Sequence, residues 1–185
     1  LGDHTFFELP NGIRVIVVEN HKLPVVNVQV RFDIPPVMQG DKVGYIDMVG
    51  DLLSAGTTTR TKAQLDEEVD RIGASLFASS DGLYASGLKK NLPALLDLVE
   101  DVITRPAFPA SEFDKLKTRY ASSIMQRADD PDSIAEAVGR AVTFSKAHPY
   151  GEVMTEKTLR NVQLQHVQGY YRRFFKPDEC YLVFV

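Results

Sequence analysis

The sequence predicts an α+β fold, a mainly antiparallel sheet covered by helices on one face. Three observations carry this. Hairpin-type strands open the chain, helical periodicity dominates its second half, and the long early strand at residues 25–32 alternates apolar with polar side chains. Alternation gives a strand one buried and one wet face, so helices need cover only one side of the sheet. The chain has 185 residues, room for one domain with a core that needs no disulfide or metal staple.

Residues 6–9 and 13–19 read as a hairpin around Pro10-Asn11-Gly12, since Asn-Gly tolerates the positive φ of a tight turn. After a break at 20–24 comes the 25–32 strand, with Val26, Val28, Val30 and Phe32 on one face and Asn27, Gln29 and Arg31 on the other. Pro35-Pro36 stops it. From 41 to 55 the period becomes helical, with Ile46, Val49 and Leu53 in one stripe and Tyr45, Met48 and Leu52 one step round. Gly56 and a Thr-rich turn end that helix. Thr61-x-x-Gln64 is a capping box that opens a helix with Leu65, Val69 and Ile72 inward and Asp66, Glu67, Glu68 and Asp70 facing water.

Two short strands follow at 74–79 and 83–89, hinged at Ser80-Asp81-Gly82. Helices are expected over 93–104, 110–128 and 132–146, then a short turn from Thr155 and a longer helix over 164–175. Asp130-Pro131 supplies a cap and a proline at the first helical position. The stretch 181–185 closes the sequence as a strand. With no internal repeat or low-complexity linker, residues 1–185 read as a single domain.

Composition removes several function classes. Apolar residues make up 44% and charged residues 25%, a globular balance. The longest apolar runs fall far short of the roughly 18 residues a membrane-spanning helix needs. A net charge of −4 argues against a nucleic-acid partner, which calls for clustered Lys and Arg. The single cysteine, Cys180, excludes an internal disulfide and a thiolate metal site, and its place at the start of an apolar strand reads as a buried structural thiol. There is no G-x-S-x-G nucleophile elbow, and residues 82–87 lack the Lys-Ser/Thr of a phosphate loop. Of the four histidines, His4, His21, His148 and His166, no two stand at ligand spacing. His21 and His148 lie beside proline-containing breaks, as loop braces do. The opening Leu1-Gly2-Asp3-His4 has no signal-peptide pattern, and a start without Met reads as an excised piece.

One carboxylate pair is out of place. Asp47 and Asp51 stand four residues apart on the polar stripe Asp47-Gly50-Asp51-Ser54. Like charges at that spacing weaken a helix by roughly 0.2–0.5 kcal/mol. An interior glycine costs about 1 kcal/mol more relative to alanine. Local helix stability asks for none of this, and such inconsistencies mark either a functional site, or its remains, or an exposed and tolerant face.

At this helix the sequence resembles a family. Gly44-Tyr45-Ile46-Asp47-Met48-Val49-Gly50-Asp51-Leu52-Leu53-Ser54-Ala55-Gly56-Thr57 is similar to the signature helix of the insulinase/pitrilysin zinc peptidases, the group that includes mitochondrial processing peptidase. Their pattern is H-x-x-E-H followed by an apolar stretch ending in Gly-Thr. Two histidines at i and i+4 grip zinc from one helix face, and the glutamate activates the bound water. The resemblance extends to Leu9-Pro10-Asn11-Gly12, Thr59-Arg60-Thr61, Ile72-Gly73-Ala74, the 92–106 helix before Phe108, Asp129-Asp130-Pro131 and His148-Pro149-Tyr150-Gly151. It covers nearly the whole chain as an N-terminal-type domain.

Residue by residue, the motif is broken. Asp47 stands at the first histidine, Gly50 at the glutamate base and Asp51 at the second histidine. The third ligand, a glutamate in the family, falls at Ser133 or at the nearby Glu136, and the Asn-Ala step beside the metal reads Phe77-Ala78. Zinc favours imidazole and thiolate donors over paired aspartates, and glycine is no general base.

The resemblance therefore implies an insulinase-family half-domain without catalytic or metal residues of its own and with no cofactor, zinc belonging to the active relatives. It would be one lobe of a longer multi-lobe chain. It would pair with an active peptidase half or subunit to form a peptide-binding chamber, with the 74–79/83–89 strand pair as the candidate edge for peptide. The alternatives are a divergent zinc metallopeptidase using Asp47 and Asp51, and an assembly-only module. Placement in the bacterial periplasm or cell envelope follows only by analogy with relatives.

Overall fold

The computed structural model describes residues 4–20 and 22–185. Its strands are β1 (His4–Glu8), β2 (Arg14–Val18), β3 (Val25–Phe32), β4 (Ser75–Ser79), β5 (Gly82–Leu88) and β6 (Cys180–Phe184). The helices are α1 (Asp47–Leu53), α2 (Lys62–Arg71), α3 (Leu92–Thr104), α4 (Ala110–Ala128), α5 (Pro131–Phe144), α6 (Glu156–Asn161) and α7 (Leu164–Phe174). The fold is α+β as expected. The six strands form one sheet in the order β1-β2-β6-β3-β5-β4, antiparallel except where β6 runs parallel to β2. β6 thus lies between the opening hairpin and the rest of the sheet.

The alternation in β3 is realised. Val28, Val30 and Phe32 are buried while Gln29 and Arg31 face water. On β5, Leu83 and Ala85 continue the buried face, and Tyr84 stays on the wet one, donating a hydrogen bond to Asn27 Oδ1 at 2.8 Å. The buried side is closed by Leu95, Leu98, Val99 and Val102 of α3, by Met48, Val49, Leu52 and Leu53 of α1, and by Val167 and Tyr170 of α7. At about 25 cal/mol per Å² of apolar surface, these buried side chains supply the main driving force for folding. Cys180 is buried as expected, and burial pushes its thiol up to about 11.

Local signals set most boundaries. Thr61 caps α2, its hydroxyl accepting from Gln64 N–H while the Gln64 side chain returns to the Thr61 amide. Asp130 caps α5 with Pro131 at the first position. Three expectations change. The helix foreseen from residue 41 begins only at Asp47. Gly40 and Gly44 adopt φ of +63° and +121°, which no right-handed helix tolerates, and the Gln39 side chain takes the amides of Gly44 and Ile46. Of the strand pair proposed as an edge, only β4 is one, because β5 lies between β3 and β4. Glu68 does not merely face water but accepts from Arg60 Nε at 3.2 Å.

Candidate functional site

Helix α1 carries the broken motif and is short and deeply set, with Met48, Val49, Gly50, Leu52 and Leu53 buried among its seven residues. The expected polar stripe is therefore split. Asp47 and Asp51 reach solvent, whereas Gly50 faces the backbone of β4. A Cβ added to Gly50 would lie 2.6 Å from the Ala78 carbonyl oxygen and 2.7 Å from Ser79 Cα. The glycine that helix propensity disfavours is thus demanded by packing against a residue far away in sequence.

The two aspartates have different surroundings. Asp51 Oδ2 accepts from Arg119 Nη2 at 2.9 Å and from the Tyr120 hydroxyl at 3.4 Å, both on α4. The Tyr120 hydroxyl also reaches the Asp47 carbonyl oxygen at 3.2 Å. Burial, reinforced by the nearby Asp51 and Asp47 charges, pushes the Tyr120 phenol up to about 12, so it stays a neutral donor. The Arg119–Asp51 pair is largely exposed and contributes at most about 1 kcal/mol. It nevertheless places a cation on the carboxylate at the position that the resemblance assigns to the second histidine. For Asp47, loss of water around the carboxyl raises its pKa, an effect that the charges of Arg140 and Arg127 partly offset.

Asp47 lines a cleft of about 910 Å³ bordered by α4, α5 and the 149–156 segment. Ser133 and Glu136, the two candidates for the third ligand, line the same cleft; Asp51 turns to α4 instead. Ser133 is engaged in capping α5, its hydroxyl and amide both directed at Asp130 Oδ2, at 2.5 and 3.0 Å. Glu136 makes a long ion pair with Arg140 at 3.7 Å. Phe77 is 65% exposed on the open face of β4, and Ala78 lies against Gly50. Among the described residues, no group of three His, Cys, Asp or Glu is arranged to hold a metal ion.

The loop after α1 is held from beneath by a network that the sequence showed only as the landmark Thr59-Arg60-Thr61. Asp101 of α3 is fully buried and accepts from the hydroxyls of Thr57 (2.6 Å) and Thr59 (2.7 Å), from Arg60 Nη1 (2.7 Å) and from Arg105 Nε (2.7 Å). Burial alone would raise this carboxyl, but the four donors hold it well below the usual carboxylate range. Arg60 extends the network to Glu68 and Asp97. Two of the histidines serve locally. The His148 ring accepts from the Tyr150 amide at 3.2 Å, and His166 Nδ1 accepts from the Gln163 amide at 3.0 Å. His4 is exposed on β1, and His21 lies outside the described residues. Arg119 and Tyr120 were not foreseen as partners of Asp51, because α4 carries no charge or spacing signal pointing to another helix.

The fold and the site define a layered α+β domain in which a short buried helix is set against an edge strand. A profile of insulinase, peptidase family M16, matches residues 14–149. The chain belongs to the insulinase family. Among its relatives, an uncharacterized zinc protease, YmxG, of Bacillus subtilis is 24% identical over 179 residues, covering 91% of this chain and 42% of that protein. A probable mitochondrial-processing peptidase subunit beta of Arabidopsis thaliana is 22% identical over 174 residues, covering 90% and 33%. The chain therefore spans less than half the length of these relatives. A crystal structure of a peptidase M16 inactive domain from Pseudomonas fluorescens superposes with a TM-score of 0.87 at 19% identity, covering 99% of this chain and 46% of that one. A protease from Helicobacter pylori gives 0.84 at 20%, with the same coverage. These likenesses establish the shared fold.

Zinc in the named zinc proteases does not fit the residues present here. At the positions that the resemblance assigns to the motif stand two aspartates, one of them paired with Arg119, and a glycine with the β4 backbone against it, a donor set that zinc disfavours.

Proposed function

We propose that this domain is a non-catalytic insulinase-family member that pairs with an active peptidase half or subunit and forms one wall of a peptide-binding chamber. The observation that carries the reading is the state of the motif helix. Asp51 is engaged by Arg119 and Tyr120, and Gly50 is pressed against Ala78, so position 50 supplies no general base and a cation already sits on one of the motif carboxylates. A peptidase scaffold kept whole around such a helix has value to a partner that owns the chemistry. The partner in this reading carries an intact H-x-x-E-H helix, and the cofactor, zinc, belongs to that partner.

The test is metal analysis and peptide hydrolysis on the purified chain, alone and with the product of a neighbouring coding sequence that bears the intact motif. Expected are no stoichiometric zinc and no hydrolysis for this chain alone, and a stable complex in which hydrolysis follows the partner's motif. Zinc bound one per chain and lost in D47A/D51A would overturn the non-catalytic reading in favour of a divergent metallopeptidase. A complex whose hydrolysis of peptides is indifferent to this chain would reduce it to an assembly module.

A further inference from the structure

The contact between Gly50 and β4 has a consequence for the sheet itself. Ser79 and Gly82 flank the two-residue loop Ser80-Asp81, so they form the hydrogen-bonded pair that closes the hairpin. Ala78 and Leu83, one step further in, are then a non-hydrogen-bonded pair, and the Ala78 carbonyl turns away from β5. β4 is the last strand on that side of the sheet, so this carbonyl points to its outer edge. There it meets Gly50, at a spacing that leaves no room for a side chain.

We infer that α1 has become the guard of the β4 edge, with Gly50 as the shim that lets the helix close over Ala78. An open edge strand is a template for pairing with another chain, and folds commonly cover it with another element. Here the cover is the motif helix itself. Two results follow from one contact: β4 does not accept an incoming strand at Ala78, and the peptidase motif is not recoverable by side-chain reversion, because a glutamate at position 50 must first push the helix off the strand.

The other helical glycines provide internal controls. Nothing lies within 4 Å of a Cβ built on Gly139 in α5 or on Gly169 in α7. Helix propensity alone makes Gly→Ala stabilising at all three positions, so a reversal of sign at position 50 reads out the seat of α1 and nothing else about helices. The experiment compares thermal melting of G50A, G139A and G169A in the intact chain, with hydrogen exchange followed over residues 47–53 and 75–79. The expected result is a melting temperature lowered by several degrees in G50A, with faster exchange in both segments, while G139A and G169A melt at or above the parent. A G50A protein as stable as the other two, with unchanged exchange at 75–79, would overturn the inference.

A second pair keeps the test sharp should larger changes disturb folding. D47H/D51H leaves the shim in place, and D47H/G50E/D51H removes it. The inference expects the pair to differ by a large drop in melting temperature, with no stoichiometric zinc in the triple variant. A triple variant that melts like the double variant and binds one zinc per chain would refute it. This outcome is separate from the pairing with an active partner, which the complex-formation assay addresses.

Discussion

Helices α1 and α5 line the same cleft, yet α1 buries five of its seven residues and α5 buries none of its fourteen. α1 is fixed by what surrounds it: α7 and the core below, the backbone of β4 beside it, and Arg119 and Tyr120 on α4. α5 is held by its own ends. Asp130 and Pro131 begin it, and the Phe144 ring stacks on His148 at 5.7 Å and meets Tyr150 edge-on at 5.5 Å where it ends. Its Ile134, Val138 and Val142 remain exposed. Thus, α1 is set mainly by tertiary neighbours, and α5 mainly by local chemistry.

The largest effect should come from the support under the α1 side. Replacing Asp101 by Asn leaves Arg60 and Arg105 without their buried carboxylate, and a broken buried pair costs about 3 kcal/mol or more. Equilibrium denaturation would measure this loss. Because the Asp101 carboxyl is held below its unfolded value of about 3.9, its stabilisation is complete above that pH and disappears as pH falls through the lowered native value. D101N should therefore flatten the acid limb of the stability curve; an unchanged limb would assign acid unfolding to other carboxylates.

Next comes core truncation. L52A in α1 should cost about 2–5 kcal/mol, whereas V142A in α5, at a side chain 79% exposed, should stay within about 0.5 kcal/mol. Equal losses at the two sites would dissolve the contrast between the helices. G139A on α5 should stabilise by up to about 1 kcal/mol, since the added methyl meets nothing and helix propensity improves.

The smallest effect belongs to Asp47. Loss of water raises its carboxyl, so protonation favours the fold: that contribution is full below the unfolded pKa and is lost as pH rises through the raised native value. D47N should leave neutral-pH stability unchanged or higher by less than about 0.5 kcal/mol, and remove this pH dependence. A loss of more than 1 kcal/mol, on the order of a full hydrogen bond, would mean that the carboxylate has a role beyond the contacts described.

How much of this was legible in the sequence follows the same divide. β3 was read to the residue because alternation is a local signal, and the Thr61 and Asp130 caps were read for the same reason. The start of α1 was not, because two positive-φ glycines and the Gln39 side chain decide it. The aspartates and glycine of the broken motif stood out by their local cost. What explains Gly50 is Ala78, and what engages Asp51 is Arg119, and neither partner shares a periodicity with α1. Strand order was equally hidden, since nothing in residues 180–184 announces that they insert between β2 and β3.

That insertion has a consequence in time. In the sheet, the β1–β2 hairpin reaches β3 only through β6. The ribosome adds about 5–20 residues per second, so the hairpin emerges roughly 10–30 s before the strand that will anchor it. Throughout that interval the outer edge of β2 stays unpaired, and the nascent chain carries an open two-stranded ribbon that closes only when β6 has been made.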